Sequence, residues 1–144
     1  MFDALIKRKY ILSVDTYYHG SDDELEVGTI LKPQGRTDGI PNFLILEKYR
    51  PSHMLSQKDV VFLVKDDDDI DNVGGGTDFL FTVTPLGKVE KHNLGWSTEL
   101  SGLESGNPEK EEEFANNYWN AVPHPNGVWE YLTTSAKIIK VEEY

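Results

Sequence analysis

A histidine followed by a glycine and a serine is the first stretch of this sequence whose residue types suit chemistry. Residues 17–21 read Tyr-Tyr-His-Gly-Ser, and a short apolar run, Tyr10 to Val14, precedes them. That run alternates as a strand does, which predicts that the His19 imidazole lies just past a strand end. Gly20 lets a ligand approach the main chain closely because it has no side chain. The stretch therefore indicates a site for a polar small molecule, although an ordinary strand-to-turn junction has the same pattern.

A glutamate between two aromatic residues is the second candidate. Glu130 lies between Trp129 and Tyr131 in the apolar run Val128 to Leu132. Among 25 acidic residues it is the best candidate for a carboxylate that acts on a substrate. The alternative is that strand alternation turns Glu130 toward solvent.

Composition narrows the classes of protein to consider. The chain has 144 residues, 38% of them hydrophobic, which predicts one domain, residues 1–144, with a real core. The net charge of −11 disfavours nonspecific binding to nucleic acid or to an anionic membrane. With no cysteine, disulfides, thiolate catalysis and cysteine metal sites are excluded. No apolar run has signal-peptide or transmembrane length, so we expect a soluble cytoplasmic protein without a membrane partner.

Alternation and turn residues predict the elements that would position the two candidates. Five strands are expected at Tyr10 to Val14, Val60 to Val64, Phe79 to Thr84, Val128 to Leu132 and Lys137 to Val141, with room for a sixth. The second of these is apolar on both faces, which predicts a central place in its sheet. Short helices are expected from Pro41 to Tyr49, after the aspartates at 66–69, and after an Asn107 cap with Pro108 in the first turn. Together the elements indicate an α+β fold.

The run Asp66 to Asp69 also raises the question of a cation. Acidic residues at alternate positions are found in calcium loops. Such loops need a glycine turn and a later bidentate acid, and neither follows at the required spacing. A solvated helix cap is therefore the expected role of the run, and no metal ligand is predicted.

Three stretches in order resemble the ADP-ribosyltransferase superfamily, in its histidine–tyrosine–glutamate branch, which includes poly(ADP-ribose) polymerase-like domains and small rifamycin-modifying transferases. Residues 18–21 (Tyr-His-Gly-Ser), with 30–33 (Ile-Leu-Lys-Pro) behind them, look like the first motif of the family. Residues 61–63 (Val-Phe-Leu) are similar to its middle strand, and residues 129–132 (Trp-Glu-Tyr-Leu) to the strand that carries its glutamate. The trio spans nearly the whole chain. The resemblance implies split antiparallel or mixed sheets with short helices.

The resemblance also implies NAD as co-substrate and a role for each matched residue. His19 would hydrogen-bond the ribose on the nicotinamide side, and the Gly20 backbone would clamp the nicotinamide amide. Phe62 would stack on the nicotinamide ring. Glu130 would hold the ribose 2′-hydroxyl and stabilise the positive charge that develops on the sugar as nicotinamide leaves. The other NAD-binding candidates of the first motif are Tyr18 and Ser21.

Phe62 stands where the family has tyrosine, and it lacks the hydroxyl. Three hypotheses follow from the sequence. The first is an NAD-dependent ADP-ribosyltransferase whose acceptor is a small molecule, a protein or a nucleic acid. The second is a module that binds NAD or ADP-ribose without chemistry, in which case Phe62 is a binding or a core residue. The third is an acidic interaction or inhibitor protein, suggested by the charge and by the acidic runs at 66–69 and 109–113.

Overall fold

The computed structural model of the protein describes residues 16–73, 76–104 and 106–143. This part of the chain has a mixed α+β fold of two antiparallel sheets and short helices. Its strands are β1 (Tyr17–Ser21), β2 (Ile30–Leu31), β3 (Val61–Leu63), β4 (Phe79–Pro85), β5 (Glu90–Asn93), β6 (Trp129–Thr133) and β7 (Ala136–Glu143). Its α-helices are α1 (Phe43–Lys48), α2 (Leu94–Ser101) and α3 (Pro108–Trp119), and two 3₁₀ helices span Gln57–Asp59 and Asp67–Asn72.

The two sheets meet along the edges of β1 and β3. The four-stranded sheet has the order β1-β4-β7-β2, and the three-stranded sheet has the order β3-β6-β5. The Tyr18 N–H donates to the Val64 carbonyl over 2.8 Å, and the Val64 N–H donates to the Tyr18 carbonyl over 3.0 Å. Among the strands described, this isolated bridge is the place where the backbones of the two sheets pair.

Two main apolar clusters hold the layers together. One lies between the sheets and is built from Val61, Leu63, Phe81, Val83, Ala136 and Ile138. The other joins the helices and contains Leu46, Leu100, Ala115, Tyr118 and Trp119. The three-stranded sheet therefore carries apolar side chains on both faces, since one face meets the other sheet and the opposite face meets α3.

Several sequence predictions are confirmed. The alternating run at 79–84 forms β4, and the runs near the C-terminus form β6 and β7. The side chain of Asn107 accepts from the Lys110 N–H and Pro108 is in the first turn of α3, as the capping pattern predicted. Asp66 caps the 3₁₀ helix that follows it by accepting from the Asp68 N–H over 3.0 Å.

Other sequence predictions are wrong in position. The apolar run at 60–64 is not central, because β3 is an edge strand of its sheet and is covered by layers on both faces. His19 lies inside β1 and not beyond a strand end. Helix α1 begins at Phe43, after Asn42 takes a left-handed conformation with φ of 59°. The strand expected at Tyr10 to Val14 lies outside the described residues.

The strand count was also too low. Five or six strands were expected, one of them outside the described residues, and the described residues alone contain seven. The three that were not predicted are β1, the short β2 and the polar β5, which carry little apolar alternation. The segment around Val89 and Trp96, which the sequence pattern leaves undecided, forms β5 and α2. This segment proves important because β5 pairs with the strand that carries Glu130.

Candidate active site

His19 sits where the two sheets meet. On β1 it lies opposite Phe81 of β4, and the two rings stack with centroids 6.4 Å apart. Its Nδ1 is 2.9 Å from the Phe62 carbonyl oxygen of β3, so a side chain of one sheet is bonded to the backbone of the other. The first and second motifs of the resemblance are thereby brought into direct contact.

The surroundings of His19 fix its protonation state. Burial lowers the pKa of His19 below its ordinary value, against a smaller opposing effect of the bond to Phe62. The ring is therefore neutral at pH 7. Because a carbonyl oxygen only accepts, the proton must be on Nδ1, which donates to Phe62. This leaves Nε2 as an acceptor, suited to a hydroxyl group of a ligand.

A cavity of about 420 Å³ opens beside His19 and Phe62. A volume of this size is typical of small-molecule sites, which are about 300–1,000 Å³. Three cationic residues and one acidic residue line it, although the protein as a whole carries a net charge of −11: Lys32, Arg36, Lys58 and Asp38. Arg36 pairs with Asp38 over 3.3 Å and Lys58 with Asp59 over 3.0 Å, so part of this positive charge is already balanced. Its apolar wall comes from Leu31, Val60, Val61 and Val73. The cavity thus combines an apolar surface, a neutral imidazole and local positive charge.

Gly20 is buried next to this junction. A Cβ atom at this position would lie 2.1 Å from the carbonyl oxygen of Gly76, so no larger residue fits without moving that segment. Along β1 the backbone groups of alternate residues point the same way. Since Tyr18 bonds to Val64, the amide and carbonyl of Gly20 also point away from β4 and toward the three-stranded sheet.

Glu130 lies in a buried polar network beneath α3. Its side chain is 2% exposed, so the alternative that it faces solvent is wrong. The Tyr118 hydroxyl donates to its Oε1, and the Gln57 Nε2 donates to the Tyr118 hydroxyl over 3.0 Å. Burial raises the pKa of Glu130 to about 7, while the hydrogen bond from Tyr118 acts in the opposite direction. The carboxyl group therefore titrates near neutrality.

The strand register relates Glu130 to Phe62. Phe62 of β3 lies opposite Leu132 of β6, and directly paired residues project to the same side of a sheet. Glu130 is two residues from Leu132 and shares that side. Phe62 and Glu130 are therefore diagonal neighbours, a relation that corresponds to about 7–8 Å between backbones. The residues that line the cavity nevertheless include His19 and Phe62 but not Glu130.

The two remaining candidates have local structural contacts. Tyr18 packs against the cluster of Val64, Ile70, Val73 and Leu80. The Ser21 hydroxyl donates to the Asp23 carbonyl and accepts from the Asp23 N–H, both over 3.0 Å, and so closes a turn. Neither residue lines the cavity in the described part of the chain.

The sequence pattern missed the residues around Glu130. In the sequence, Tyr118 falls on the apolar face of the helix that follows Asn107, and His92 has no partner at a metal-ligand spacing. His92 lies opposite Glu130, its Nδ1 donates to the Tyr118 carbonyl over 2.8 Å, and its ring stacks on Tyr118 at 4.6 Å. Glu90 shares this face of β5 and accepts from the Leu55 N–H and from Lys88. Because all four residues of β5 are polar, the sequence carries no alternation that could have identified this face.

The acidic run at 66–69 has the surface position expected of a helix cap. Carboxylate oxygens of Asp66, Asp67 and Asp68 lie within 4.8 Å of one another, and all three residues are exposed. Asp66 already accepts the N–H of Asp68 at the start of the 3₁₀ helix.

The chain has no match among protein-family models or among curated proteins. Among the helices described, none combines the length and apolar character needed to cross a bilayer. The geometry at the sheet junction and around Glu130 is therefore the basis of any functional assignment.

Proposed function

We propose that the protein is an NAD-dependent ADP-ribosyltransferase with the fold of that superfamily, and that NAD binds in the cavity at the sheet junction. The observation that supports this most is the 2.9 Å contact between His19 and the Phe62 carbonyl on the wall of that cavity. It joins two of the three stretches on which the resemblance rests. A cytoplasmic location, where NAD is available, is part of the same proposal.

The composition of the cavity suits the parts of NAD. The Nε2 acceptor of His19 would take a hydrogen bond from the nicotinamide-side ribose. Phe62 and the apolar wall offer contact area for the flat nicotinamide ring. The cationic side chains of Lys32, Arg36 and Lys58 would attract the diphosphate.

The proposed reaction breaks the bond between C1′ of the ribose and the nicotinamide nitrogen. The electron pair of that bond leaves with nicotinamide, and a lone pair of the acceptor forms the new bond to C1′. The proton of the acceptor is released to solvent. With water as acceptor the products are ADP-ribose, nicotinamide and a proton, so bond cleavage can be measured before the acceptor is known.

Glu130 is the group proposed to stabilise the sugar cation. A carboxylate does this best where water is excluded, because charges interact more strongly at low dielectric. Its buried position on the same sheet face as Phe62 supports that role. The role requires the ionised form, and burial alone opposes ionisation.

The test is nicotinamide release from NAD, measured chromatographically for the wild type and for Glu130→Gln. We expect the variant to lose at least ~10²-fold in turnover, comparable to removing one preorganised electrostatic group. Glu142→Gln is the matched control, since Glu142 is a strand glutamate in an exposed ion pair with Lys140. Full turnover in Glu130→Gln would exclude the mechanism.

A binding module for NAD or ADP-ribose is the second candidate, and one observation favours it. Glu130 does not line the cavity and its carboxyl group is occupied by Tyr118. Calorimetry separates the two functions. Saturable heat on adding NAD, with no nicotinamide released over hours, would assign binding without catalysis.

A further inference from the structure

We propose that Tyr118 is a positioning residue for Glu130, which orients the carboxylate and favours its ionised form, and that Gln57 directs the Tyr118 hydroxyl. This inference rests on the proposed function, in which Glu130 acts on the ribose of NAD. It assigns a task to a helix residue that belongs to none of the three family-like stretches.

The hydrogen bonds run in one direction, from Gln57 to Tyr118 and from Tyr118 to Glu130. The Nε2 of Gln57 can only donate, and it does so to the Tyr118 oxygen over 3.0 Å. That contact occupies a lone pair of the hydroxyl oxygen and leaves its proton for Glu130, whose Oε1 accepts it. Among the described residues, Tyr118 is the group whose hydrogen bond reaches the Glu130 carboxyl.

The Tyr118 ring is held so that its hydroxyl cannot be directed elsewhere. It is fully buried, and His92 stacks on one face with ring planes 14° apart. Trp119 meets it edge-on at 5.0 Å, and the Tyr118 carbonyl accepts from His92 Nδ1. The hydroxyl is therefore fixed relative to β6, and with it the orientation of the carboxylate.

The charges around Glu130 show why a donor is needed there. His92 faces it from β5, but burial lowers the pKa of His92, so this ring brings no positive charge at pH 7. Glu90, on the same face of β5, is acidic and pairs with Lys88. Tyr118 faces Glu130 from α3, and burial together with the nearby Glu130 raises its pKa, so it keeps its proton. The hydrogen bond from Tyr118 is thus the contribution that opposes burial and favours the carboxylate.

The test is Tyr118→Phe, which preserves the ring and removes the hydroxyl. The Glu130 carboxyl is titrated directly by carbon NMR of ¹³C-labelled glutamate, with its signal assigned by its loss in Glu130→Gln. A hydrogen bond to a charged group favours ionisation by about 10- to 100-fold, so the midpoint should rise by about one to two pH units. The acid limb of kcat for nicotinamide release should move by the same amount, with KM for NAD unchanged.

Tyr49→Phe is the matched control. Tyr49 donates to Glu111 over 3.2 Å. Glu111 lies on α3, the helix that carries Tyr118, but the pair lies outside the Glu130 network. Its removal should change neither the Glu130 midpoint nor the pH profile. If Tyr118→Phe does not fold, as judged by circular dichroism, Gln57→Leu should shift the midpoint in the same direction by a smaller amount, because the polarising donor is lost.

The outcomes separate the two proposals. An unmoved Glu130 midpoint in folded Tyr118→Phe overturns the inference, even if kcat falls equally at every pH, since a uniform loss is a structural effect. A wild type that releases no nicotinamide at any pH overturns the proposed function. In that case the NMR midpoint alone still decides whether Tyr118 favours ionised Glu130.

Discussion

Burial has opposite consequences for the titratable groups of two regions, the sheet junction and the network beneath α3. At the junction, burial favours the neutral form of His19, and a neutral imidazole with a free acceptor nitrogen is the form that binds a hydroxyl. Beneath α3, burial favours the neutral form of Glu130, which cannot stabilise a cation. The same physical effect therefore prepares one residue for its proposed task and impairs the other. The comparison explains why the carboxyl needs a dedicated hydrogen-bond donor and the imidazole does not.

The largest expected effect concerns the stability of the network as pH changes. The pKa of Glu130 is raised from 4.5 in the unfolded chain to about 7 in the folded protein. Its contribution to stability is therefore fully present below pH 4.5 and is lost as pH rises through 7. Between pH 5 and pH 8 the free energy of unfolding of Glu130→Gln should rise relative to that of the wild type by up to roughly 3 kcal/mol, because the amide cannot ionise.

Urea unfolding of both proteins at several pH values measures this difference. The free energy of unfolding of Glu142→Gln, which is altered at an exposed position, should change with pH as that of the wild type does. If the difference in free energy of unfolding between wild type and Glu130→Gln is constant with pH, Glu130 does not titrate as its burial requires. The contrast between the two regions would then not hold for Glu130.

A smaller effect of opposite sign is expected at the junction. The pKa of His19 is lowered in the folded protein, so its contribution to stability is fully present above 6.5, the ordinary value, and is lost as pH falls below it. His19→Asn does not titrate in this range. The wild type should therefore lose stability relative to this variant on acidification from pH 7 to pH 5.

The same urea series measures the His19 effect, with His53→Asn as the control because His53 is exposed. A stability difference that changes with pH in the same direction as that of Glu130 would contradict the assignment of His19 as a partly buried, neutral ring.

The smallest effect tests the positive charge of the cavity. Lys32→Glu reverses one of the three cations and should weaken NAD binding by about three- to tenfold, since exposed charges interact weakly through water. The loss should shrink in 0.5 M salt. Lys140→Glu reverses an exposed lysine that does not line the cavity, and calorimetry should find NAD affinity unchanged. Equal losses in both variants would point to net charge and not to the cavity.

Local signals in the sequence predicted much of the scaffold. The alternation at 79–84 predicted β4, and the Asn107-Pro108 pair predicted the start of α3, because both patterns depend on neighbouring residues alone. The position of β3 could not be predicted in this way. Apolarity on both faces shows that a strand is covered by two layers, but it does not distinguish a central strand from an edge strand.

The candidate site was predictable only in part. His19 and Phe62 were identified from the sequence, but their contact spans 43 positions and depends on how the sheets meet. Tyr118 was recognised as a buried aromatic residue, whereas its partnership with Glu130 depends on α3 packing over β6. A hydroxyl group on an apolar helix face gives no sequence signal of the acceptor that it will find.

The bridge between Tyr18 and Val64 bears on how the cavity takes up a ligand. His19 stands on one sheet and Phe62 on the other, and the hydrogen bond from His19 Nδ1 to the Phe62 carbonyl joins them across the junction. The described strands of the two sheets share one reciprocal pair of main-chain hydrogen bonds. Any rotation of one sheet against the other would disturb this pair, the bond between His19 and Phe62, and the apolar cluster between the sheets. The shape of the cavity therefore depends on how the two sheets are joined as well as on the residues that line it.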